Sequence, residues 1–396
     1  MVESGQAGYH SKVTEPGLVV VGSGPAAVAA AASFREHDPD SRVQIFTADG
    51  DVPYQRPPLS KEYLRGETDD VALHPAQWFD DRTIELNLDS PVERLDLAER
   101  AVYVGDRRHP FDTLVLACGA APQPPPIPGG HRALLLRSLA DATTLRSAAR
   151  SAASAVVIGS GFIGCEAAAS LAQRDVAVTL VAPEPLPQEQ RLGAEAAARL
   201  RDLVTEMGVR HAGGVGVTEI TAAGVRLDNG VTIDCDLVLA ATGVTPQSAL
   251  AADAGLRVDD SRIVVGSDMA TSVRGIYAAG DVALARHAVA GRHLAVEHWQ
   301  DATDQGAIAG AAAAGRQPKW DGIPGFWTTI GDATLKYHAW GDGFESSRLI
   351  DHPDGFTVWY ETDGATVGVL TYNRDDDYDL GERLIAESRP APVRTG

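Results

Sequence analysis

The chain has 396 residues, of which 44% are hydrophobic and 22% charged, a composition typical of a folded α/β protein with two or three domains. Its formal net charge of −20 makes nucleic acid a poor candidate partner and repels an acidic protein at long range unless arginines cluster locally; a solubilising surface is the simplest interpretation. Cys118, Cys165 and Cys235 have no CxxC spacing, which argues against a disulfide framework, a redox-active cysteine pair and a zinc or iron–sulfur site.

The N-terminal residues 1–16 are polar and without periodicity, so we expect a disordered tail there. They lack the basic and then apolar order of a secretory signal, and no stretch reaches the roughly 18 uncharged apolar residues that a membrane helix requires. We therefore expect a cytoplasmic protein with no membrane or nucleic-acid partner, as a monomer or a homodimer.

The first glycine motif follows the apolar residues 17–21 and reads Gly22-Ser-Gly24-Pro25-Ala26-Ala27. In such a motif the first glycine allows a tight turn, the second lets a pyrophosphate approach the backbone, and the N-terminus of the next helix offers free N–H groups to the anion. The spacing predicts a βαβ unit whose second strand covers residues 43–47. An acid that holds a ribose is expected at Ala48, and Asp49 is the nearest carboxylate.

A proline-rich segment follows, Pro53-Tyr-Gln-Arg56-Pro-Pro58-Leu-Ser-Lys61, in which two adjacent prolines fix φ and stiffen the approach to a lysine. The chain contains only three other lysines, Lys12, Lys319 and Lys336. This rarity, together with the rigid context, singles out Lys61 as a functional residue.

A second βαβ unit is predicted beyond the strand at residues 114–117 and the proline-rich residues 118–129, which we interpret as a linker. Its motif, Gly159-Ser-Gly161-Phe162-Ile163-Gly164, follows the apolar residues 155–158, and the unit ends with residues 237–241 and the turn at Gly243. One GxGxxG motif is a weak signal. Two copies, each between a strand and a helix, predict two bound dinucleotides and an electron-transfer flavoprotein.

The remaining part of the chain changes from helical to strand-like patterns. After the segment Ile276-Tyr-Ala-Ala-Gly280-Asp281, a helix is predicted over residues 299–314, and the alternation in residues 356–360 and 366–370 predicts strands. Residues 388–396 are expected to form a second tail.

The two glycine motifs, the Arg56–Lys61 segment and the segment ending at Asp281 together make the chain resemble the two-dinucleotide flavoprotein reductases of the pyridine nucleotide-disulfide oxidoreductase superfamily. The resemblance is to the ferredoxin, rubredoxin and putidaredoxin reductase branch and covers residues 17–320. It implies an α/β fold with two Rossmann-like dinucleotide-binding domains, for FAD and NAD(P), and a small α+β C-terminal domain. The implied boundaries are 17–123 and 246–320 for FAD, 124–245 for NAD(P)H and 321–387 for the C-terminal domain, between tails 1–16 and 388–396.

The resemblance also implies roles for single residues. Lys61 would lie beside flavin N5, where a cation stabilises negative charge on the reduced ring, and Glu166 would meet Lys61 and the nicotinamide amide. A solvated helix glutamate is the alternative for Glu166. Arg56 would support the isoalloxazine or its phosphates, and Asp281 would hydrogen-bond the ribityl chain of FAD.

Further cofactor contacts are implied at positions outside the motifs. Val92 and Arg137 match positions that contact the ADP half of FAD, and residues 296–299 match the stretch beside the pyrimidine edge, where the following helix could aim its N-terminus at flavin O2. Trp299 and Trp327 are aromatic neighbours of the isoalloxazine or, equally, core packing. The predicted cofactor-binding residues are Gly22, Gly24, Pro25, Ala26, Ala27, Asp49, Arg56, Pro58, Lys61, Val92, Arg137, Gly159, Gly161, Phe162, Ile163, Gly164, Glu166, Glu184, Gly243, Gly280, Asp281, Val296, Glu297, His298, Trp299 and Trp327.

The nicotinamide half departs from the usual pattern at its ribose-binding acid, because the expected position is Ala182. Glu184 could substitute for it, and no arginine stands at that position to meet a 2′-phosphate. NADH is therefore slightly favoured over NADPH, although Arg191 could reach the same place.

Two further departures concern the flavin site. Cys118 replaces the threonine usual in this branch, a change of similar size that should spare FAD binding. Residues 325–331 read Gly-Phe-Trp-Thr-Thr-Ile-Gly where many relatives read Phe-Trp-Ser-Asp-Gln, so the flavin mouth is altered and the electron acceptor is in doubt.

Three functions are consistent with these features. The first is an FAD-dependent NAD(P)H:ferredoxin-type oxidoreductase, in which hydride passes to flavin N5 and single electrons pass to an iron–sulfur protein of the ferredoxin or rubredoxin type serving an oxygenase such as a cytochrome P450. The second passes electrons directly to a small molecule such as a quinone, a nitro compound or oxygen. The third is a redox-sensing binding flavoprotein similar in logic to apoptosis-inducing factor.

Overall fold

The computed structural model describes residues 16–392, which contain both helices and strands, with runs of consecutive strands at β3–β8 and β11–β16. The α-helices are α1 (Pro25–His37), α2 (Glu62–Arg65), α3 (Ala76–Asp81), α4 (Leu139–Ala148), α5 (Phe162–Ala172), α6 (Glu189–Glu206), α7 (Ala249–Asp253), α8 (Trp299–Ala313) and α9 (Asp375–Ala386). Short 3₁₀ turns cover Pro57–Ser60 and Gly130–Arg132. Within residues 16–392, no helix combines the length and the hydropathy that a bilayer span requires.

The strands fall into two parallel sheets, one large antiparallel sheet and several small ones. Their bounds are β1 (Leu18–Val21), β2 (Val43–Phe46), β3 (Ile84–Asn87), β4 (Arg94–Asp96), β5 (Ala101–Val104), β6 (Arg107–Pro110), β7 (Thr113–Leu116), β8 (Ala120–Pro122), β9 (Ser154–Ile158), β10 (Ala177–Ala182), β11 (Arg210–Gly213), β12 (Val217–Ile220), β13 (Gly224–Leu227), β14 (Thr232–Asp234), β15 (Leu237–Ala240), β16 (Val244–Pro246), β17 (Val258–Asp259), β18 (Arg262–Val265), β19 (Ile276–Ala278), β20 (Ala283–Arg286), β21 (His293–Leu294), β22 (Gly325–Ile330), β23 (Ala333–Ala339), β24 (Ser346–His352), β25 (Gly355–Thr362) and β26 (Ala365–Tyr372).

The first parallel sheet has the strand order β19-β7-β1-β2-β3. All four residues of β1 are buried, which explains its continuous apolar sequence, since a parallel strand is covered on both faces. The strand order reverses between β1 and β7, so a crevice opens beyond the carboxyl ends of these two strands. The edge strand β19 comes from much later in the chain than the other four.

The second parallel sheet repeats this plan with the order β11-β10-β9-β15. Here the order reverses between β9 and β15, and the second crevice opens beyond their carboxyl ends. The two sheets, with their helices, give the α/β architecture of two Rossmann-like units that the sequence predicts.

Helix α8 packs tightly on α1 because two glycines face it. A Cβ atom on Gly306 would lie 2.2 Å from the Ala26 carbonyl oxygen, and one on Gly310 would lie 2.1 Å from that of Ala30. These glycines let the two helix backbones approach, and the packing holds the start of α8 near the first crevice.

The two connections between the parallel units run side by side. Strands β8 and β16 pair antiparallel, with Ala120 opposite Pro246 and Pro122 opposite Val244. The proline-rich linker is therefore partly paired with the returning connection, and the two form a two-stranded ribbon.

The C-terminal sheet is antiparallel in the order β22-β23-β26-β25-β24, with α9 packed against it. Its apolar face, which includes Val358 and Leu370, shares one core with the second parallel unit. Residues 388–392, which the sequence analysis assigns to a tail, pack on this sheet: Ala391 is buried, and Thr366 N donates to Arg389 O at 2.8 Å. Residues 1–15 and 393–396 of the two tails lie outside the described range.

Candidate active site

A cavity of about 1840 Å³ lies where both parallel units meet the C-terminal sheet. A pocket for one drug-sized ligand measures roughly 300–1,000 Å³, so this cavity has room for two large ligands. The predicted site residues that line it are Gly22, Gly24, Pro25, Ala26, Asp49, Arg56, Lys61, Val92, Arg137, Gly161, Phe162, Ile163, Glu166, Glu184, Gly243, Gly280, Asp281, Val296, Glu297, His298, Trp299 and Trp327.

The two glycine motifs have nearly the same backbone geometry. Gly22 has φ +118° and Gly159 has φ +103°, and a Cβ atom would lie 2.2 Å from Ala117 O in the first and 2.4 Å from Ala241 O in the second. Gly24 faces open space, since a Cβ atom on it would meet no heavy atom within 4 Å. Each motif thus turns sharply out of its sheet and leaves an open cradle at a helix N-terminus, which suits a pyrophosphate.

Four predicted residues do not line the cavity. Gly159 and Gly164 pack against each other, since a Cβ atom on Gly164 would lie 2.0 Å from Gly159 O. Ala27 is fully buried behind the first motif, and Pro58 lies within the 3₁₀ turn before Lys61. These residues shape the backbone of the site and do not face its interior.

Lys61 and Glu166 form a buried ion pair, with Nζ and Oε2 2.9 Å apart. Their residues are 5% and 3% exposed, so the pair is largely shielded from solvent. Lys61 follows the 3₁₀ turn Pro57–Ser60, and Glu166 lies in the second turn of α5. The rigid proline turn and the second glycine motif, which are distant in sequence, therefore meet at one charged contact.

Two arginines lie together beside the first crevice, Arg56 from the first unit and Arg137 from the segment that follows β8. The Arg137 guanidinium pairs with Asp281, and Arg56 Nη1 donates to Arg137 O at 2.8 Å. Burial and the neighbouring Arg137 lower the pKa of Arg56. Within residues 16–392 no carboxylate lies in ion-pair contact with Arg56, so this end of the cavity carries spare positive charge that fits a phosphate group.

Asp49 lies beyond the end of β2 and is held by a tyrosine that the sequence analysis did not single out. Tyr54 Oη donates to Asp49 Oδ2 at 2.6 Å and accepts from Leu139 N at 3.1 Å. Burial raises the pKa of Tyr54 to about 12, so the phenol stays protonated. The Asp49 carboxylate is thus fixed one residue beyond Ala48, the position where a ribose-binding acid is expected.

The start of α8 brings several polar and aromatic groups to the cavity. His298 Nδ1 and Asp301 Oδ2 are 2.9 Å apart, and Arg262 Nη2 donates to Glu297 at 2.6 Å. The rings of Trp299 and Trp327 meet edge to face at 6.1 Å, and Trp327 is 40% exposed. An open aromatic edge therefore lies beside the first crevice.

Glu184 lies two residues beyond the end of β10 and faces the cavity, as does Arg191. Tyr337, from β23, lines the same region, and burial raises its pKa to about 12. Its position could not be found from the sequence, since Tyr337 lies outside both glycine motifs and outside the strands predicted at residues 356–360 and 366–370.

The three cysteines are free thiols. Cys165 is fully buried next to Glu166, and burial raises the pKa of its thiol. Cys118 lines the cavity, and burial raises its pKa to about 12. Both therefore remain protonated at neutral pH and are poor nucleophiles.

Comparison with known proteins identifies similar chains along nearly the whole length. Residues 16–306 match the pyridine nucleotide-disulphide oxidoreductase family. Rhodocoxin reductase of Rhodococcus erythropolis is 33% identical over 387 residues, which cover 94% of this chain and 90% of the relative. The ferredoxin--NAD(+) reductase component of the anthranilate 1,2-dioxygenase system of Burkholderia cepacia is 32% identical, with 93% and 94% covered.

Solved structures give the same result. A ferredoxin reductase from Rhodopseudomonas palustris superposes with a TM-score of 0.90 at 30% identity, covering 95% of this chain and 96% of the other. The covalent complex of putidaredoxin reductase with putidaredoxin superposes with a TM-score of 0.90 at 27% identity, covering 95% and 94%.

Proposed function

The chain belongs to the pyridine nucleotide-disulphide oxidoreductase family, and from this premise we propose that it is an FAD-dependent NAD(P)H oxidoreductase that passes electrons to a small iron–sulfur protein serving an oxygenase. The observation that carries the proposal is the buried Lys61–Glu166 pair in a cavity that both glycine motifs border. The relatives named as reductases of ferredoxin, rubredoxin and putidaredoxin support this kind of partner.

The first unit has the features of an FAD site. Gly22 and Gly24 would receive the pyrophosphate, with Arg56 and Arg137 supplying positive charge, and Asp49 would bind the ribose. Asp281, fixed by Arg137, would accept a hydrogen bond from the ribityl chain. When bound, FAD supplies a ring that accepts a hydride and releases electrons one at a time.

The second unit would hold NADH. Gly161 and the N-terminus of α5 would receive its pyrophosphate, while Glu184 would accept hydrogen bonds from the adenosine ribose. A carboxylate at this place repels a 2′-phosphate, so NADH is the expected donor. Arg191 would offset that repulsion in part if its guanidinium turned towards the ribose.

Lys61 and Glu166 would act where the two ligands meet. The Lys61 ammonium stabilises negative charge that develops in the cavity, and its burial keeps water from screening that effect. Glu166 fixes the ammonium in place and is itself held by hydroxyl groups. Oriented charge of this kind costs no reorganisation during the reaction.

The proposal is tested by anaerobic stopped-flow spectroscopy of the purified protein. We expect NADH to bleach the visible flavin spectrum faster than NADPH, and a ferredoxin-type protein from a panel to reoxidise it rapidly. A protein that holds no flavin, or that NADH and NADPH both fail to bleach, would contradict the proposal.

A second candidate is direct reduction of a small molecule. The resemblance to the ferredoxin reductase branch implies an acid and an amide at the positions that Thr329 and Ile330 occupy, and Trp327 leaves the adjacent edge open. Rapid reoxidation by quinones or nitro compounds, with none by any iron–sulfur protein of the panel, would favour this function over the first.

A further inference from the structure

The carboxylate of Glu166 binds donors from two separate parts of the chain, residues 60–61 and residues 328–329. Ser60 Oγ donates to Oε2 at 2.5 Å, the same oxygen that Lys61 Nζ approaches at 2.9 Å. Thr328 Oγ1, from β22, donates to Oε1 at 2.8 Å, and Thr329 N approaches that oxygen at 3.3 Å. One carboxylate of α5 thus joins the proline turn, the second unit and the C-terminal sheet.

We propose that the hydroxyl groups of Ser60 and Thr328 are positioning groups that hold the Glu166 carboxylate and thereby set how much positive charge Lys61 presents to the flavin. The inference rests on the proposed function only in placing the reducible ring of the flavin against Lys61.

The physical reason is the balance of charge at a buried site. A hydroxyl that donates to a carboxylate turns the positive end of its dipole towards it and forms a charge-assisted hydrogen bond. Ser60 and Thr328 are 2% and 1% exposed, so water screens these dipoles little. Without them the carboxylate cancels more of the Lys61 charge, and negative charge in the cavity is less well stabilised.

Thr328 is the sharper position for a test. Its hydroxyl is the only side-chain donor to Oε1 within residues 16–392, whereas Oε2 has two such donors. Replacement by valine removes the hydroxyl and keeps the branched shape that a strand favours. The backbone pairing of Thr328 with Leu335 stays available to the variant.

The experiment measures the midpoint potential of the bound flavin. The protein, isolated with its flavin, is equilibrated anaerobically with reference dyes of known potential. We expect Thr328→Val to weaken binding of the reduced ring relative to the oxidised ring by roughly three- to tenfold, which lowers the potential by about 15–30 mV for a two-electron couple. Thr328→Ser should restore the wild-type potential. Ser60→Ala should shift it in the same direction, and the two changes together should give less than the sum of their effects because both act on one carboxylate.

Thr334→Val is the matched control. The Thr334 hydroxyl lies in the same sheet, 3.1 Å from Thr329 Oγ1, and does not contact Glu166. An unchanged potential in flavin-loaded Thr328→Val, an equal shift in Thr334→Val, or failure of Thr328→Ser to restore the potential would each overturn the inference. If Thr328→Val does not fold, the potentials of Ser60→Ala and Thr328→Ser decide. A lowered potential in Ser60→Ala together with a wild-type potential in Thr328→Ser supports the inference, and any other combination overturns it. Dye titration needs neither a nicotinamide nor a protein partner, so failure of the proposed electron donor or acceptor is detected separately.

Discussion

The ammonium group of Lys61 is buried beside a single carboxylate, so its replacement removes the positive charge from the centre of the cavity. We expect Lys61→Met to slow reduction of the bound flavin by NADH by about 10²–10³-fold, the usual cost of losing one oriented electrostatic group. Stopped-flow bleaching measures this rate. Lys336→Met is the control, because Lys336 pairs with Asp375 at the surface, and a wild-type rate in Lys61→Met would remove Lys61 from the mechanism.

Glu184 offers a test of donor choice at the end of β10. We expect Glu184→Ala to raise the KM for NADH by about tenfold, because hydrogen bonds to a charged acceptor are lost, and to leave the KM for NADPH unchanged or lower. Steady-state kinetics with both donors measure the ratio. Glu189→Ala, a neighbouring acid at the start of α6, should keep the wild-type ratio; equal effects of the two variants would count against Glu184.

His287 predicts a dependence of stability on pH. The residue is fully buried, and its Nδ1 accepts a hydrogen bond from Ala290 N at 3.1 Å. Burial is the main cause that lowers the pKa of His287. Nearby Arg292 also lowers this pKa, whereas nearby Asp301 and Asp321 raise it. A folded-state pKa below that of the unfolded chain means that the unfolded state takes up the proton first. The stabilising effect is therefore complete above the ordinary histidine pKa of about 6.5 and is lost as the pH falls below it.

The measurement is the free energy of unfolding between pH 7.5 and pH 5. These two values bracket the ordinary histidine pKa of about 6.5. We expect His287→Asn to be less stable than wild type at the upper pH but to lose less stability on acidification, by up to about 1.4 kcal/mol for each pH unit that one proton controls. Parallel curves for the two proteins would show that His287 does not cause the pH dependence.

At the scale of single residues, the sequence singles out side chains that lie in or next to a motif with a chemical reason, and the structure brings two of them, Lys61 and Glu166, together. Lys61 follows two prolines, and Glu166 follows a glycine motif by two residues. Their partners Ser60 and Thr328 are ordinary hydroxyl residues, which become notable only when three distant segments meet. Tyr54 and Tyr337 were not identified from the sequence for the same reason, since burial and proximity are properties of the folded chain.

At the scale of elements, the packing of α1 on α8 needs glycine at two positions, because Gly306 and Gly310 lie against carbonyl oxygens of α1. We expect Gly306→Ala to destabilise the protein by about 1–3 kcal/mol or more, since the added carbon overlaps Ala26 O and the backbones must separate. Chemical denaturation measures the change. Gly322→Ala is the control, because a Cβ atom there meets nothing within 4 Å, and equal stability of the two variants would contradict the packing argument.

The longer elements followed from their patterns with small errors at the ends. The strand predicted at residues 114–117 is β7 (Thr113–Leu116), and the helix predicted at residues 299–314 is α8 (Trp299–Ala313). The short strands β8 and β16 could not be predicted in the same way. They have three residues each, and one of them lies in a proline-rich run. Each pairs with a partner more than a hundred residues away, a contact that no local pattern reveals.

On the scale of the whole molecule, the net charge of −20 governs encounters with other proteins. With an acidic iron–sulfur acceptor at low ionic strength, we expect the rate of electron transfer to rise as salt is added towards roughly 0.15 M, where the screening length is about 8 Å, because salt weakens the mutual repulsion. Stopped-flow mixing of the reduced protein with the acceptor measures it. A neutral quinone is the control, and a rate that falls steeply with salt would reveal a local basic surface that outweighs the net charge.

The overall architecture was the most predictable feature, since two similar units were visible as two glycine motifs and the α/β fold class is confirmed by the structure and its similar chains. The docking of residues 388–392 on the C-terminal sheet was not predictable. Its contacts are hydrogen bonds of its own backbone, two of which go to the side chains of Arg348 and Glu361, and the burial of one small residue, Ala391. Neither kind of contact is visible in the composition of the segment.

The ribbon of β8 and β16 makes the second unit an insert with adjoining ends. The chain leaves the ribbon after Pro122 and re-enters it at Val244, and these two residues face each other across one strand spacing of roughly 5 Å. A homologous unit with a different nicotinamide preference could therefore be exchanged by splicing at two neighbouring points. Such an exchange would leave the first parallel sheet uncut, and it would have to keep the apolar face that the second unit packs against the C-terminal sheet.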